Sequence, residues 1–376
     1  MVFELRHGIA SWTQKYIGGL IRQDRKSGLA VLDAIISRYR VADPAALGSS
    51  VGSVRIGGVV QEKSEASLMK AINAPAGKLC QAVLSFLGEP KRRSKMPHWI
   101  AARFETLLEL PGDGAGHAAC LIARQFRWFD YWFTDWAAGL LPLFALDHPL
   151  AEAMWHGLAS DPNFIGDDAG KRIKPALMAV LAGGAAWELD DDARKRLIGL
   201  MVNLTLRRDG KPAVISFAEA RRLLIAVGDG DRAEALAILA RSKHSDDLWA
   251  SLIRPFLLFA WPRQLKYQTA ESARQLVQIA EKSGDRFPEI AALILPFLRP
   301  VPHLDTIAYR LQKQGEGGQG YSVRFPSETL GLLNALVGDD PQALPWNLGE
   351  LLELVADAAP ALRQSDPWRR LKAFTQ

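Results

Sequence analysis

The structural unit of this chain is clearest in Thr269–Pro300, TAESARQLVQIAEKSGDRFPEIAALILPFLRP. Thr269 is a candidate N-cap, and Gly284 is expected to stop the helix that follows it. The apolar residues of this helix that recur on one face are Ala273, Leu276, Val277 and Ala280. Pro288 lies in the first turn of the next helix, where its missing N–H costs nothing, and Pro300 ends that helix. The stretch therefore predicts two short antiparallel helices.

Similar amphipathic segments follow one another along the chain, spaced at about one helix for every twenty residues and joined by short Gly/Pro/Asp connections. They are Pro75–Leu87, His98–Leu108, Gly114–Phe129, Asp135–Phe144, Pro149–Leu158, Lys171–Leu181, Asp190–Leu206, Ser216–Val227, Asp231–Ala240, Asp246–Phe259, Glu328–Val337, Leu348–Ala356 and Trp368 to the end. The pattern predicts an all-α fold, an irregular HEAT-like stack of antiparallel helical hairpins that resembles an α-solenoid. No strict repeat motif aligns, so the array is expected to be irregular.

The chain is long enough for two domains or one elongated array, since it has 376 residues of which 48% are apolar. We expect an N-terminal helical segment and linker over 1–62 and the helical array over 63–376, with a subdivision near residue 160. The linker contains SVGSVRIGGVV, Ser50–Val60, which has β-type residues but is broken by glycine and is predicted to be a loop. A second loop is predicted at Gln312–Ser322, QKQGEGGQGYS.

Aromatic residues are concentrated in RQFRWFDYWFTDW, Arg124–Trp136. A base-stacking platform would require exposed rings interleaved with Lys or Arg, and only two arginines are present. Because Trp128/Trp132 and Phe129/Phe133 are each four residues apart, they fall in adjacent rows on one helix face. Thr134 is predicted to cap the next helix, and Tyr131 is placed on the outer side. The stretch is therefore predicted to form the core of two consecutive helices.

Composition excludes several classes of protein. No apolar run reaches the roughly 18 residues of a membrane span. Charged residues interrupt the N-terminal MVFELRHGIASW, which argues against a secretory signal. Cys80 and Cys120 are too few for a disulfide scaffold or a zinc site, and this fits a reducing cytoplasm. We expect a cytoplasmic protein that has no membrane segment.

Positive charge is concentrated toward the N-terminus. Residues 1–100 contain 15 Lys/Arg and 7 Asp/Glu, a net charge of +8, whereas the remaining residues sum to −3. The densest basic stretch is KRRSK, in which Lys91, Arg92, Arg93 and Lys95 form a candidate polyanion-binding site. Prolines bound this stretch, so a solvated loop is the alternative interpretation.

Catalytic and metal-binding motifs are not evident. The glycines from Gly315 to Gly320 imitate a dinucleotide-binding pattern but lack the strand before and the helix directly after it. PGDGAGH, Pro111–His117, links two helices and is interpreted as a turn followed by a helix start. The seven histidines are scattered, with no helical zinc-binding pair. Acidic pairs such as Asp167/Asp168 and the run Asp190–Asp192 are assigned to helix starts. We therefore expect no enzyme activity, no metal and no cofactor.

Several segments resemble a known family. INAPAGKLCQAVLSFL (Ile72–Leu87), MPHW (Met96–Trp99), Leu107–Phe144 and MWHGL (Met154–Leu158) are similar to the C-terminal helical region of large bacterial sirtuin-like proteins. The segments Leu252–Leu298 and FPSETLGLLNALVG, Phe325–Gly338, extend the resemblance, which covers most of the chain from about residue 64. That region is a domain of unknown function, and its relatives occur in antiphage defence proteins.

The resemblance implies a division of labour in which an N-terminal sirtuin-like domain degrades NAD and the helical part senses the phage or holds the assembly together. No strand–glycine–helix unit opens this chain, so no catalytic residue can be transferred to it. The predicted function is that of a non-catalytic scaffold or sensor in antiphage defence that binds a phage protein or an effector subunit. The alternative is a nucleic-acid-binding helical-repeat protein that uses the basic N-terminal third.

Overall fold

A computed structural model describes residues 2–49, 54–56, 59–61, 66–88, 94–161, 166–205, 212–242, 245–313, 319–339 and 344–375. These residues contain 21 α-helices and one two-stranded hairpin, so the fold is all-α, as the periodicity predicts. The irregular HEAT-like stacking of these helices into hairpins stays a prediction. The chain divides into two compact units, Met1–Asn203 and Leu204–Gln376. Within the first unit α1 packs on α4 and α2 packs on α5, and the boundaries predicted at residue 62 and near 160 stay predictions.

The first unit is helical from its beginning, and its last helix ends at the boundary between the units. Its helices are α1 (Val2–Gln23), α2 (Arg25–Arg40), α3 (Leu68–Asn73), α4 (Pro75–Leu84), α5 (His98–Leu108), α6 (Asp113–Arg124), α7 (Phe126–Trp132), α8 (Thr134–Leu140), α9 (Ala151–Ser160), α10 (Asp167–Leu181) and α11 (Asp191–Leu204).

The second unit continues in the same style, with shorter helices and several turns of other helix types. Its helices are α12 (Phe217–Ala226), α13 (Asp229–Arg241), α14 (Asp246–Leu248), α15 (Ala270–Glu281), α16 (Phe287–Ile294), α17 (Asp305–Lys313), α18 (Tyr321–Arg324), α19 (Pro326–Leu336), α20 (Leu348–Ala358) and α21 (Asp366–Ala373).

The helix pair predicted in Thr269–Pro300 is present as α15 and α16. The Thr269 hydroxyl accepts a hydrogen bond from the Ser272 backbone N–H at 3.2 Å, which confirms the N-cap. All four predicted stripe residues of α15 are fully buried. Gly284 adopts a left-handed φ of 59° shortly after α15 ends, and Pro288 lies in the first turn of α16.

The aromatic stretch Arg124–Trp136 contributes to the core of the first unit, as predicted. Phe126 and Phe129 are fully buried, and Phe133 is 3% exposed. The Phe129 ring meets the ring of Trp136 at a centroid distance of 4.7 Å. Tyr131 is exposed, as predicted. The stretch packs as core, and its rings are not arranged as a base-stacking platform.

Two details of this stretch differ from the prediction. The single helix expected over Gly114–Phe129 is broken at Gln125 into α6 and α7. Thr134 is the first residue of α8 and not its N-cap, because its hydroxyl donates to the Asp130 carbonyl oxygen at 2.8 Å. The hydroxyl that was expected to accept from the new helix is therefore used to close the preceding one.

Helices α6 and α9 pack closely at Gly157. A Cβ built on Gly157 of α9 would lie 2.1 Å from the carbonyl oxygen of Cys120 in α6 and 2.8 Å from the Ala123 Cβ. No other residue type fits there without a shift of one helix. The glycine thus sets the distance between the two helices.

The prediction of a loop over Ser50–Val60 was wrong, because part of this stretch forms a β-hairpin. Strands β1 (Val54–Ile56) and β2 (Val59–Gln61) pair antiparallel, with Val54 opposite Gln61 and Ile56 opposite Val59. The β-branched residues favour the paired strands. The two strands are separated in the sequence by two glycines, a spacing typical of a hairpin.

Two predictions in the second unit also need correction. The helix expected over Asp246–Phe259 turns into π-helix at Trp249–Ile253 and at Phe256–Ala260, on either side of Pro255, whose missing N–H disrupts the regular α-helical ladder. The loop expected over Gln312–Ser322 is helical at both ends, because α17 continues to Lys313 and α18 begins at Tyr321. The Tyr321 ring stacks on Phe287 at a centroid distance of 4.3 Å.

Candidate protein-binding surface

Helix α1 has apolar residues on two faces, and only one of them is covered. On the covered face, which packs on α4, Ala10, Thr13 and Ile17 are fully buried. The Thr13 hydroxyl donates to the carbonyl oxygen of Ile9 at 2.8 Å, so this polar group is satisfied within the helix. The covered face is enough to fix α1 in the first unit.

The other face carries an exposed apolar stripe. Its five side chains, between 36% and 64% exposed, are Leu5, Ile9, Trp12, Tyr16 and Leu20. They follow one another at intervals of three or four residues and therefore lie on one side of the helix. Trp12 and Tyr16 are neighbours, with a centroid distance of 6.2 Å between their rings. Scattered exposed apolar residues are normal, whereas a continuous stripe is a candidate interaction surface.

Helix α2 forms the second wall of this surface. Asp24 caps α2 by accepting from the backbone N–H groups of Lys26 and Ser27 at 3.0 and 3.3 Å. At the other end of the hairpin the Tyr39 hydroxyl donates to the Arg6 carbonyl oxygen at 2.5 Å, and burial raises the pKa of Tyr39 to about 12. The Asp24 bonds fix the start of α2, and the Tyr39 bond joins the end of α2 to the start of α1.

A groove of about 760 Å³, widely open to solvent, lies between the two helices. Its lining residues are Glu4, Leu5, Gly8, Ile9, Trp12 and Ile35. A Cβ added at Gly8 would meet nothing within 4 Å, so the wall is open at this position. Glu4 is the one charged residue of the lining, and the groove is otherwise apolar.

Polar contacts tie the covered face of α1 to α4. Lys78 donates from Nζ to the Ser11 hydroxyl at 2.8 Å, and the Gln14 side-chain amide donates to the Gln81 Oε1 at 2.7 Å. Both bonds lie on the side of α1 that faces α4. The groove is therefore built on an anchored helix, which lowers the entropy that a partner must overcome on binding.

The structure describes only one of the four residues of the predicted polyanion site. Lys91, Arg92 and Arg93 lie outside the described residues. Lys95 is exposed just before α5 and does not line the groove. Lys95, the one residue of the candidate site that the structure describes, therefore lies outside the groove lining.

Three buried titratable side chains of the first unit, those of Cys80, Cys120 and His156, lie outside the groove lining. Burial raises the pKa of the Cys120 thiol to about 12 and raises that of Cys80 as well, so neither is a ready nucleophile at neutral pH. The His156 Nδ1 lies 3.7 Å from the Asp190 carboxylate, and burial lowers the pKa of His156. Asp190 also caps α11, accepting from the Ala193 N–H at 2.7 Å. In the described part of the chain no three His, Cys, Asp or Glu side chains are grouped to hold a metal ion.

The glycine-rich stretches have structural explanations where the structure describes them. Gly320 packs against α17 so closely that a Cβ would lie 1.8 Å from the Gln312 carbonyl oxygen. Gly112, with a φ of 53°, turns the chain directly before α6 begins at Asp113, as predicted for Pro111–His117. Gly315, Gly317 and Gly318 lie outside the described residues.

The groove was not identified from the sequence. The signal is present, because the apolar residues of α1 occur on two sides of a helical projection. Such a helix is either buried all round or binds a partner, and its sequence alone does not distinguish these cases.

Comparison with family models, curated protein sequences and solved structures finds no match. Among the helices of the described residues, none combines the length and apolar character that crossing a membrane requires.

Proposed function

We propose that this chain is a non-catalytic helical scaffold or sensor that binds an acidic amphipathic helix of a partner protein in the α1–α2 groove. The exposed apolar stripe of α1 carries the proposal. The sequence resemblance suggests antiphage defence as the setting, with a phage protein or an effector subunit as the partner.

A helix fits the stripe better than an extended peptide does. The five exposed side chains of α1 extend over four helical turns, and a partner helix that lies along them can place residues i, i+4 and i+7 against them. An extended peptide would bind by adding a strand to a free sheet edge. The groove offers helix walls and no strand edge.

The charge of the hairpin favours an acidic partner. Outside the turn at residues 22–26, the two helices carry four basic residues and two acidic residues, Glu4 and Asp33, a net charge of +2. Lys15 lies one turn beyond Trp12 on α1, and Arg38 lies one turn beyond Ile35 on α2, so basic side chains flank the groove at the sequence level. Acidic residues beside the apolar positions of a partner helix would complement these basic side chains. A second copy of this hairpin would instead bring like charges together.

Binding of designed peptides tests the proposal. We would measure fluorescence anisotropy with an amphipathic peptide of about 20 residues that carries Glu beside its apolar face, and with the same peptide carrying Lys. The acidic peptide is expected to bind more tightly. Trp12→Ala should weaken its binding by roughly 30-fold, about 2 kcal/mol, as for a central aromatic residue of an interface.

The matched control is Trp346→Ala, because Trp346 is a 72%-exposed tryptophan of the second unit. This variant should bind the acidic peptide like the wild type. Equal binding of both peptides, or an equal loss in both variants, would contradict the proposal. So would a dimer of the chain that dissociates when Trp12 is replaced, because the occupant of the groove would then be a second copy.

A further inference from the structure

A basic patch lies at the turn between α1 and α2, away from the residues that line the groove. We define this patch as Arg22, Arg25, Lys26 and Lys95, all of them exposed. The first three surround the turn, and Lys95 precedes α5. The Arg25 guanidinium lies 5.0 Å from the centre of the Trp99 ring in the first turn of α5, so the turn and the start of α5 are neighbours in space.

The packing of α2 against α5 keeps these segments together. Arg25 contacts Trp99 at the start of both helices, and further along them Asp33 pairs with Arg103 at 2.6 Å. The two contacts occur in the same order in both helices, which therefore run in the same direction. Their first turns lie at the same end of the pair, so the turn that carries Arg22, Arg25 and Lys26 lies beside the start of α5.

The four cations have no carboxylate partner within 4 Å among the described residues, unlike Arg40, which pairs with Glu109 at 2.9 Å. Asp24 is the one acidic residue at the turn. It accepts hydrogen bonds from the Ser27 hydroxyl and from two backbone N–H groups, and these bonds lower the pKa of its carboxyl group. Its charge is thus engaged in capping α2, and the patch keeps a surplus of positive charge.

We infer that the basic patch binds the phosphate backbone of double-stranded nucleic acid. Phosphate contacts need exposed cations at fixed positions and no base-specific geometry. Proteins that bind single strands add open aromatic platforms for the bases. Trp99 is not open in this way, because Arg25 and Arg103 lie over its ring and Phe86 packs at a centroid distance of 5.9 Å. A duplex, whose phosphates lie on its outer surface while its bases are stacked inside, is the ligand that fits.

The test uses the full chain and a short DNA duplex of arbitrary sequence, with fluorescence anisotropy at about 50 mM and about 200 mM salt. Four phosphate contacts predict that the affinity falls roughly 100-fold between the two salt concentrations. The triple variant Arg22→Gln/Lys26→Gln/Lys95→Gln leaves Arg25 on Trp99. It should lower the affinity at the lower salt concentration at least about 10-fold and flatten the salt dependence.

The control replaces three exposed cations outside the patch, in the variant Lys171→Gln/Lys195→Gln/Arg222→Gln, which makes the same change in net charge. It should bind like the wild type. Three results would overturn the inference: no binding of duplex at about 50 mM salt, an equal loss in both triple variants, and tighter binding of a single strand or of anionic phospholipid vesicles than of the duplex. Circular dichroism of each variant shows whether the fold is kept. None of these results depends on the apolar groove.

Discussion

Glu281 is an acidic residue whose side chain is buried, and burial disfavours its charged form. It ends α15, its side chain is buried, and the Arg310 guanidinium lies 3.2 Å from its Oε2. The Tyr321 hydroxyl donates to the backbone carbonyl of the same residue at 2.8 Å. Burial raises the pKa of Glu281 to about 7 even though Arg310 favours the charged form. The second unit therefore holds a carboxyl group that titrates near neutrality.

This raised pKa makes stability depend on pH. Because the folded-state pKa of Glu281 lies above its ordinary value of 4.5, the folded state holds the proton more tightly, and stability is lost as the pH rises through 7. The loss between about pH 5 and about pH 8 is on the order of 2 kcal/mol. Glu281→Gln should remove it. Thermal unfolding followed by circular dichroism should therefore show a smaller drop in Tm from the lower to the higher pH than in the wild type.

Glu289→Gln is the control for this prediction, since Glu289 also pairs with an arginine, Arg254 at 3.1 Å, but both side chains are about half exposed. It should keep the pH dependence of the wild type. If Glu281→Gln and the wild type lost the same Tm over this range, burial of Glu281 would not be the cause.

Two threonines show that the local rule for helix starts is right at one position and wrong at another. The rule for helix starts is right at Thr269, whose hydroxyl accepts from the Ser272 N–H. It is wrong at Thr134, whose hydroxyl donates to the Asp130 carbonyl oxygen. Phe133 separates the two helices there and is itself 3% exposed. The chain turns at Phe133 because its ring enters the core, and burial of this kind depends on contacts outside the local sequence.

At the scale of elements, the contact between α6 and α9 leads to a paired prediction. Gly157→Ala places a Cβ 2.1 Å from the Cys120 carbonyl oxygen, so the helices must separate. We expect a loss of roughly 2–3 kcal/mol of unfolding free energy, as for overpacking of a tight core. Urea denaturation measures this value.

Gly139→Ala is the matched control, since a Cβ at this helical glycine of α8 meets nothing within 4 Å. Alanine has the higher helix propensity, and the substitution should stabilise the protein by about 0.5–1 kcal/mol. The two Gly→Ala substitutions are therefore expected to change the free energy of unfolding in opposite directions. Equal effects of the two would show that α9 can move away from α6 without loss.

Elements were predicted best where helix periodicity and helix-start signals agree. The bounds of α5 match the prediction at both ends, and α20 begins at the predicted residue. Prediction failed where an element departs from a regular α-helix, as in the hairpin formed by Val54–Ile56 and Val59–Gln61 and in the π-helical turns beside Pro255. Apolar periodicity in a single sequence does not resolve π-helical turns.

At the scale of the whole molecule, the division into two units predicts two independently folding parts. The first unit has its own aromatic core, which includes Phe104, Phe129 and Trp155. The second has a core that includes Phe256 and Phe287. Each unit is long enough to bury a stable core without the other.

Fragments 1–205 and 212–376 should therefore each fold. We expect a helical far-UV circular dichroism spectrum and a cooperative thermal transition from both. Fragment 1–205 contains α1, α2 and α4, so it should also bind the acidic peptide as tightly as the full chain does. A fragment without a cooperative transition would show that its core depends on the rest of the chain.

The sequence by itself determined that this protein is all-α and where many of its helices begin, because apolar spacing and capping act within a few residues of one another. Only the tertiary structure decided which apolar face of α1 is covered by α4 and which lines the groove with Trp12. It likewise decided that Trp99 is covered by Arg25 while the neighbouring cations stay exposed. These outcomes depend on contacts between residues far apart in the chain, which the local pattern of one sequence does not encode.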